Sequence, residues 1–181
     1  HYDAEETAGF VFDGKQKDEP REFEKIAVGK TRIFYVSPLA MLILARMFLG
    51  PLYSRIVEHS DIFCAAIGIN MHKDAGRIVT ALKDFAPNIM EGDYSGYDLS
   101  MPTDVGHMVN GLILSLVGEL GYNDSAISIL KGLLSDDLFP HVNFLGDVFV
   151  SGGLQPSGKY GTAENNCLRG LAMMMYAFYD D

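Results

Sequence analysis

Cysteine and basic charge are both scarce in this chain of 181 residues. Its two cysteines, Cys64 and Cys167, are too few for a disulfide framework or a cysteine-based zinc site, and they favour a reducing compartment. Lysine and arginine number 14 against 24 acidic residues, and the resulting net charge of −10 argues against nucleic-acid binding by bulk charge. The distribution of the few basic residues therefore matters more than their total.

Long apolar runs are also missing. The longest, residues 39–49, is interrupted by Arg46 and is too short to cross a bilayer, so we expect no transmembrane segment. Hydrophobic residues still make up 48% of the chain, which is enough to fill the core of one domain or of part of a larger one. The chain starts at His1 and stops within a helical pattern, so we expect it to be a fragment of a longer protein.

The pattern of apolar residues predicts an α+β fold. β-branched and aromatic runs predict strands at 10–12 and 31–36, a short buried strand at 88–90, and a hairpin at 141–150 that turns at Leu145-Gly146. Helical spacing predicts helices at 38–59, with a break or kink at Gly50-Pro51, and at 73–85, 102–120, 123–134 and 164–180. In the helix at 102–120, the predicted apolar face consists of Met108, Leu112, Leu116 and Leu120.

Basic residues are concentrated near the N-terminus. Residues 15–32 contain six of the 14, in a segment that also carries four acids. Within it, Gly29-Lys30-Thr31 copies the end of a nucleotide-binding P-loop, but position 24 is Glu where that motif needs Gly, and a strand rather than a helix is predicted to follow. Two interpretations remain, namely a phosphate-binding element and a solvated charged hairpin.

The stretch from Glu91 to Pro102 carries two carboxylates, at Asp93 and Asp98, on either side of Gly96. Gly96 allows the chain to turn after the predicted strand and to bring both acids towards one site. A carboxylate at a strand end suits Mg²⁺, which prefers hard oxygen ligands and shares its coordination sphere with water and phosphate. The alternative is an ordinary solvated turn.

A second polar pattern runs from Pro156 to Asn166. Thr162 and Asn166 are four residues apart, so they share one face of the predicted helix. Ser157 and Gly158 precede that helix, where a glycine lets the backbone approach a nucleic-acid strand closely. The alternative is a helix entered through a Ser-Gly turn with ordinary polar residues in its first turn.

Together these segments resemble the picornavirus-like RNA-dependent RNA polymerases, in particular those of marine and arthropod picorna-like viruses. Residues 17–32 resemble motif F, the Asp-x4-Asp of Asp93 and Asp98 resembles motif A, and Ser-Gly-x3-Thr-x3-Asn at 157–166 resembles motif B, in the family's order. Cys167 departs from the pattern, since Ser often follows the motif B Asn. The resemblance covers nearly the whole chain.

The resemblance implies a partial right-hand polymerase with an antiparallel sheet packed on helices. Residues 1–86 would be a fingers segment with motif F, and residues 87–181 a palm segment with motifs A and B. Tyr179-Asp180-Asp181 looks like motif C, but it follows Asn166 too closely and ends a helix, so we interpret it as helix-end acids. Motif C and the thumb are expected beyond residue 181.

The implied reaction is template-directed nucleotidyl transfer for replication and transcription of a viral RNA genome, by a two-metal mechanism with Mg²⁺ or Mn²⁺. Asp93 would be catalytic and would bind metal together with the Tyr94 carbonyl. The remaining implied roles concern the substrate: Asp98, Ser157, Thr162 and Asn166 at the ribose, Gly158 at the moving template, and Lys17, Arg21, Lys25 and Arg32 at the triphosphate.

The implied partners are an RNA template and primer, nucleoside triphosphates and other viral replication proteins. The expected location is the host cytoplasm, at membrane-associated replication complexes. Two rival functions are a reverse transcriptase and a non-catalytic RNA-binding module. Reverse transcriptases usually carry a bulky aromatic residue where Asp98 stands, so Asp98 argues against the first rival.

Overall fold

The computed structural model describes residues 8–179, which form four strands and seven helices. The strands are β1 (Val11–Gln16), β2 (Ile33–Val36), β3 (His141–Phe144) and β4 (Asp147–Val150). The helices are α1 (Phe23–Ala27), α2 (Leu39–Glu58), α3 (Met71–Phe85), α4 (Tyr97–Ser100), α5 (Thr103–Glu119), α6 (Asp124–Leu138) and α7 (Thr162–Tyr179). Asp180 and Asp181, interpreted above as helix-end acids, lie outside the described residues.

The four strands form one sheet in the order β2-β1-β3-β4. The predicted hairpin is confirmed: β3 and β4 pair antiparallel around Leu145 and Gly146, whose φ angles of 56° and 101° are those of a tight hairpin turn. β1 pairs antiparallel with β2 but parallel with β3. The sheet is therefore mixed rather than antiparallel throughout, because the long crossover between β1 and β3 returns the chain in the same direction.

Helices pack on this sheet to form one hydrophobic core, as the α+β prediction requires. Phe12 of β1 and Val142 of β3 are fully buried and are paired in the sheet. Helices α2, α5 and α6 add Ile56, Ile113 and Leu130, each also fully buried. Core residues come from both sides of residue 86, so the β1–β2 hairpin and the later helices share one interior.

Helix α2 continues through Gly50-Pro51, so the predicted break there is wrong, while a kink stays a prediction. Pro51 is exposed, and the helix runs unbroken as one of 20 residues. Among the described residues it is the one helix that could cross a membrane by length and composition, a test that the core helix of a soluble protein also passes. Here Leu49, Leu52 and Ile56 face the protein interior.

Two predictions at the level of elements are wrong. Residues 88–90 form no strand, and Ile89 and Met90 are exposed, since no strand of the described sheet pairs with them. In α5 the buried row is Val109, Ile113 and Val117. Of the predicted face, Met108, Leu112 and Leu120 are about half exposed, and Leu116 is partly buried against the core.

The rotation of α5 has a local cause. A Cβ at Gly106 would lie 2.3 Å from Cδ1 of Leu138, so this glycine lets α5 and α6 approach closely. One turn later, the Asn110 side-chain amide donates a 3.0 Å hydrogen bond to the Leu134 carbonyl oxygen. Gly106 and Asn110 lie on the same face of α5 as Val109 and Ile113, so their contacts with α6 direct that face towards α6.

Candidate functional site

An open cleft with a volume of about 660 Å³ lies between segments that are far apart in the sequence. One wall comes from α1 and the start of β2, the second from the turn at Gly96 and α4, and the third from the loop and helix after β4. The lining residues are Arg21, Lys25, Lys30, Thr31, Arg32, Ile33, Tyr35, Tyr94, Gly96, Tyr97, Asp98, Leu99, Ser157 and Asn166.

The basic wall is arranged around one carboxylate. Glu19 contacts the cationic groups of Lys17, Arg21 and Arg32, at 3.2, 2.8 and 3.9 Å. Desolvation raises the pKa of Glu19, but the hydrogen bond from Lys17 and the positive charges of all three residues outweigh it and lower that pKa. Glu19 therefore keeps three cations close together that would otherwise repel one another.

The acidic wall begins at Gly96, whose φ of 63° lets the chain turn directly into α4. Asp98 lies in the first turn of that helix, and its carbonyl oxygen accepts a 3.0 Å hydrogen bond from the Gln155 backbone amide. The Tyr97 hydroxyl donates to the Asn166 carbonyl oxygen at 3.1 Å, and desolvation raises the pKa of Tyr97 to about 12. These bonds hold the acidic wall against the loop and helix of the third wall.

The third wall is the loop at 155–161 and the start of α7. The Ser157 carbonyl oxygen accepts a 2.8 Å hydrogen bond from the Tyr35 amide, which ties this loop to β2. Gly158 has a φ of 105°, and a Cβ there would lie 2.7 Å from the Tyr35 carbonyl oxygen. Asn166 lines the cleft, and its side-chain oxygen is buried without a hydrogen-bond partner.

The structure thus gathers part of the predicted site. Arg21, Lys25, Arg32, Tyr94, Asp98, Ser157 and Asn166 all line the cleft. Lys17, Asp93, Gly158 and Thr162 do not line it. Lys17 donates a backbone hydrogen bond to the Arg32 carbonyl oxygen, and Asp93 and Gly158 are next in sequence to the lining residues Tyr94 and Ser157. Thr162 instead donates its hydroxyl to the Lys159 carbonyl oxygen at 3.0 Å.

Asp93 is exposed, directly before the cleft residue Tyr94. Within residues 8–179, no group of three or more His, Cys, Asp or Glu side chains is placed to hold a metal ion. The donor chemistry of Asp93 and the Tyr94 carbonyl nevertheless fits Mg²⁺, which binds one or two carboxylates and keeps several waters and substrate phosphates.

Sequence reasoning missed several residues that build this site. Tyr35 and Tyr97 line the cleft, and Glu19 organises its cations. Tyr97 directly precedes Asp98 in the sequence, and this adjacency is a signal from which Tyr97 could have been predicted to line the site. The contribution of Tyr35 is a backbone amide, which every residue other than proline carries, so the sequence offers no signal for it.

Comparison with known proteins identifies the family to which this chain belongs. The family profile described as viral RNA-dependent RNA polymerase matches residues 6–132, which is more than half of the chain. The chain belongs to the viral RNA-dependent RNA polymerase family. The matched range includes the basic wall and the acidic wall of the cleft.

Relatives of the polymerase fragment are viral polyproteins. The chain is 32% identical over 171 residues to the genome polyprotein of human parechovirus 5, and 28% identical over 153 residues to the replicase polyprotein of acute bee paralysis virus. These alignments cover 92% and 83% of the chain but only 7% and 8% of the polyproteins. The chain is therefore similar to a small part of each relative.

A solved structure shows the same fold. The Sicinivirus 3Dpol RNA-dependent RNA polymerase superposes with a TM-score of 0.75 at 18% identity. The match covers 93% of this chain and 36% of that polymerase. The expected partial polymerase fold is thus confirmed.

Proposed function

We propose that the complete protein is an RNA-directed RNA polymerase that copies a viral RNA genome by template-directed nucleotidyl transfer. The observation that carries this proposal is the single cleft in which Arg32, Asp98 and Asn166, from three distant segments, lie together. A ribonucleotide offers a polyanion at one end and sugar hydroxyls at the other, and the cleft presents cations on one wall and hydrogen-bonding groups on the other two.

The triphosphate would bind at the basic wall. Arg21, Lys25 and Arg32 line the cleft, and guanidinium groups can bind two phosphate oxygens at once. Lys17 would support them through Glu19, since it does not line the cleft itself.

The ribose would bind between the other two walls. Asp98 accepts a hydrogen bond from the 2′-hydroxyl, which distinguishes a ribonucleotide from its deoxy analogue. Asn166 would contribute its side-chain amide, and Ser157 and Thr162 hold the adjoining loop and helix start. Gly158, in the same loop, would allow the template and product to shift, as the resemblance to motif B implies.

Asp93 and the Tyr94 carbonyl would hold Mg²⁺, or Mn²⁺ in its place. When two such ions are bound, they lower the pKa of the primer 3′-hydroxyl and neutralise the pyrophosphate that leaves. Asp93 is exposed, so its carboxylate is accessible to ions that carry water and triphosphate with them.

Replacement of Asp93 tests the catalytic proposal. In the complete polymerase, Asp93→Asn should reduce RNA synthesis by at least about 100-fold, since even residues that only support metal ligands cost about 10–100-fold. Glu91→Gln removes an exposed acid two positions away and is the matched control, with activity near wild type. Synthesis that persists in Asp93→Asn would favour a non-catalytic RNA-binding role for this region.

The isolated chain of 181 residues should not incorporate nucleotides. It matches 36% of the solved polymerase, and we propose that motif C and the thumb belong to the rest of the protein, with fingers at 1–86 and palm at 87–181 here. An incorporation assay on a primed RNA template checks this, with the complete polymerase as control. Extension of the primer by the isolated chain would contradict the proposal.

The same proposal covers partners and location. RNA template, primer and nucleoside triphosphates are the substrates. Because the relatives are polyproteins, other viral replication proteins are the expected partners, at membrane-associated complexes in the host cytoplasm.

A further inference from the structure

A buried ion pair lies beneath the loop at 155–161, and none of the roles proposed above uses it. The Lys159 ammonium donates hydrogen bonds to both carboxylate oxygens of Asp137, near the end of α6. The two side chains are only 5% and 9% exposed. The Gln155 side-chain oxygen accepts a longer hydrogen bond of 3.5 Å from the same ammonium, so Lys159 has two hydrogen-bond partners.

The energetics of this pair require that the lysine be held in place. Burial disfavours the charged ammonium and lowers the pKa of Lys159, as does the nearby positive charge of Arg169, while the negative charge and hydrogen bonds of Asp137 act in the opposite direction. A buried charge that loses its partner is strongly destabilising, whereas an apolar pair of similar volume is often tolerated. The conformation with Lys159 on Asp137 is therefore favoured strongly over others in which the ammonium stays buried.

The position of Lys159 in the chain connects the ion pair to the residues that line the cleft. It follows Ser157 by two residues, and its carbonyl oxygen accepts the Thr162 hydroxyl at the start of α7. On its other side, the loop is tied to β2 by the bond from the Tyr35 amide to Ser157. The loop is thus fixed at two points, to β2 at Ser157 and to α6 at Lys159.

We propose that Lys159, anchored on Asp137, is a positioning residue that sets where Ser157 and Asn166 stand in the cleft and so contributes to the selection of ribonucleotides over 2′-deoxyribonucleotides. This inference rests on the proposed polymerase function. Neither Lys159 nor Asp137 lines the cleft, so both act through the loop and the helix that they hold.

The test uses the complete polymerase and the ratio of kcat/KM for ATP to that for 2′-dATP. Because both substrates are measured on the same preparation, this ratio does not depend on the fraction of enzyme that is folded. Lys159→Met should lower the ratio about 10-fold, the value of one charge-assisted hydrogen bond. Asp137→Asn should lower it by a similar factor although Asp137 lies on a different element, and the double variant should lower it no further.

Two further variants calibrate the measurement. Asp98→Asn removes the proposed direct contact with the 2′-hydroxyl and gives the reference loss of selectivity. Leu130→Ala removes a fully buried side chain from α6 and should lower the melting temperature while it leaves the ratio unchanged.

An unchanged ratio in folded Lys159→Met or Asp137→Asn would overturn the inference. Asp137 also faces the fully buried guanidinium of Arg169. Should both single variants fail to fold, Lys159→Met combined with Asp137→Leu and Arg169→Met removes all three buried charges and is expected to fold. A wild-type ratio in that triple variant would equally overturn the inference. Absence of RNA synthesis by the unmodified polymerase would refute the proposed function instead, so the two failures are distinguishable.

Discussion

At the scale of single residues, the site depends on positions whose backbone is constrained. The shared helix face of Thr162 and Asn166 could be predicted from their spacing of four residues, and Ser157 could be predicted to lie nearby because it precedes that helix. The pair of Lys159 and Asp137 could not, because it depends on how α6 docks against a loop 22 residues further on. Periodicity within one element carries no information about that docking.

Gly158 gives a prediction at this scale. Gly158→Ala places a Cβ 2.7 Å from the Tyr35 carbonyl oxygen at a φ of 105°, so the loop must move away from β2. We expect a loss of about 1–2 kcal/mol in stability from the backbone alone, together with reduced RNA synthesis by the complete polymerase. Thermal unfolding and primer extension measure the two effects.

Gly170→Ala is the matched control for that variant. Gly170 lies within α7, and a Cβ there meets nothing within 4 Å. It should raise stability by up to about 1 kcal/mol through helix propensity and leave synthesis unchanged. Equal behaviour of the two variants would contradict the constraint at Gly158.

At the scale of elements, the sequence predicts the existence of helices and strands better than their orientation. Helix α5 begins and ends within a residue or so of its prediction, yet its buried face is one residue off, a rotation of about 100°. Two adjacent apolar rows compete there, and the choice depends on Gly106 meeting Leu138 of another helix. The apolar run at 88–90 fails as a strand for a similar reason, since no described strand lies beside it.

The rotation of α5 can be tested on the 181-residue chain. Ile113 is fully buried and Leu112 is 45% exposed. Ile113→Ala should therefore lower the free energy of unfolding by about 2–5 kcal/mol, whereas Leu112→Ala should cost clearly less. Urea denaturation compares them, and a larger loss for Leu112→Ala would mean that the sequence-predicted face is the buried one.

At the scale of the whole molecule, the order of the motifs predicts that distant segments meet, and the cleft confirms this for Arg32, Asp98 and Asn166. The route by which they meet was not predictable. It uses the parallel pairing of β1 with β3 across more than a hundred residues, and the sequence does not reveal which strands become neighbours. Asp93, which the motif order also predicts to lie there, is exposed and does not line that cleft.

The net charge of the chain and the local charge of the cleft act on a triphosphate in opposite directions. The chain carries a net charge of −10, which repels a triphosphate at long range, while the basic wall attracts it locally. Arg32→Gln in the complete polymerase should raise KM for nucleoside triphosphates about 10-fold, as expected for a lost charge-assisted hydrogen bond. Lys15→Gln removes the same charge from outside the cleft, where Lys15 lies 3.8 Å from Asp13, and should change KM much less. If KM rose equally in the two variants and added salt abolished both increases, only the overall electrostatic field would matter and the basic wall would have no specific role.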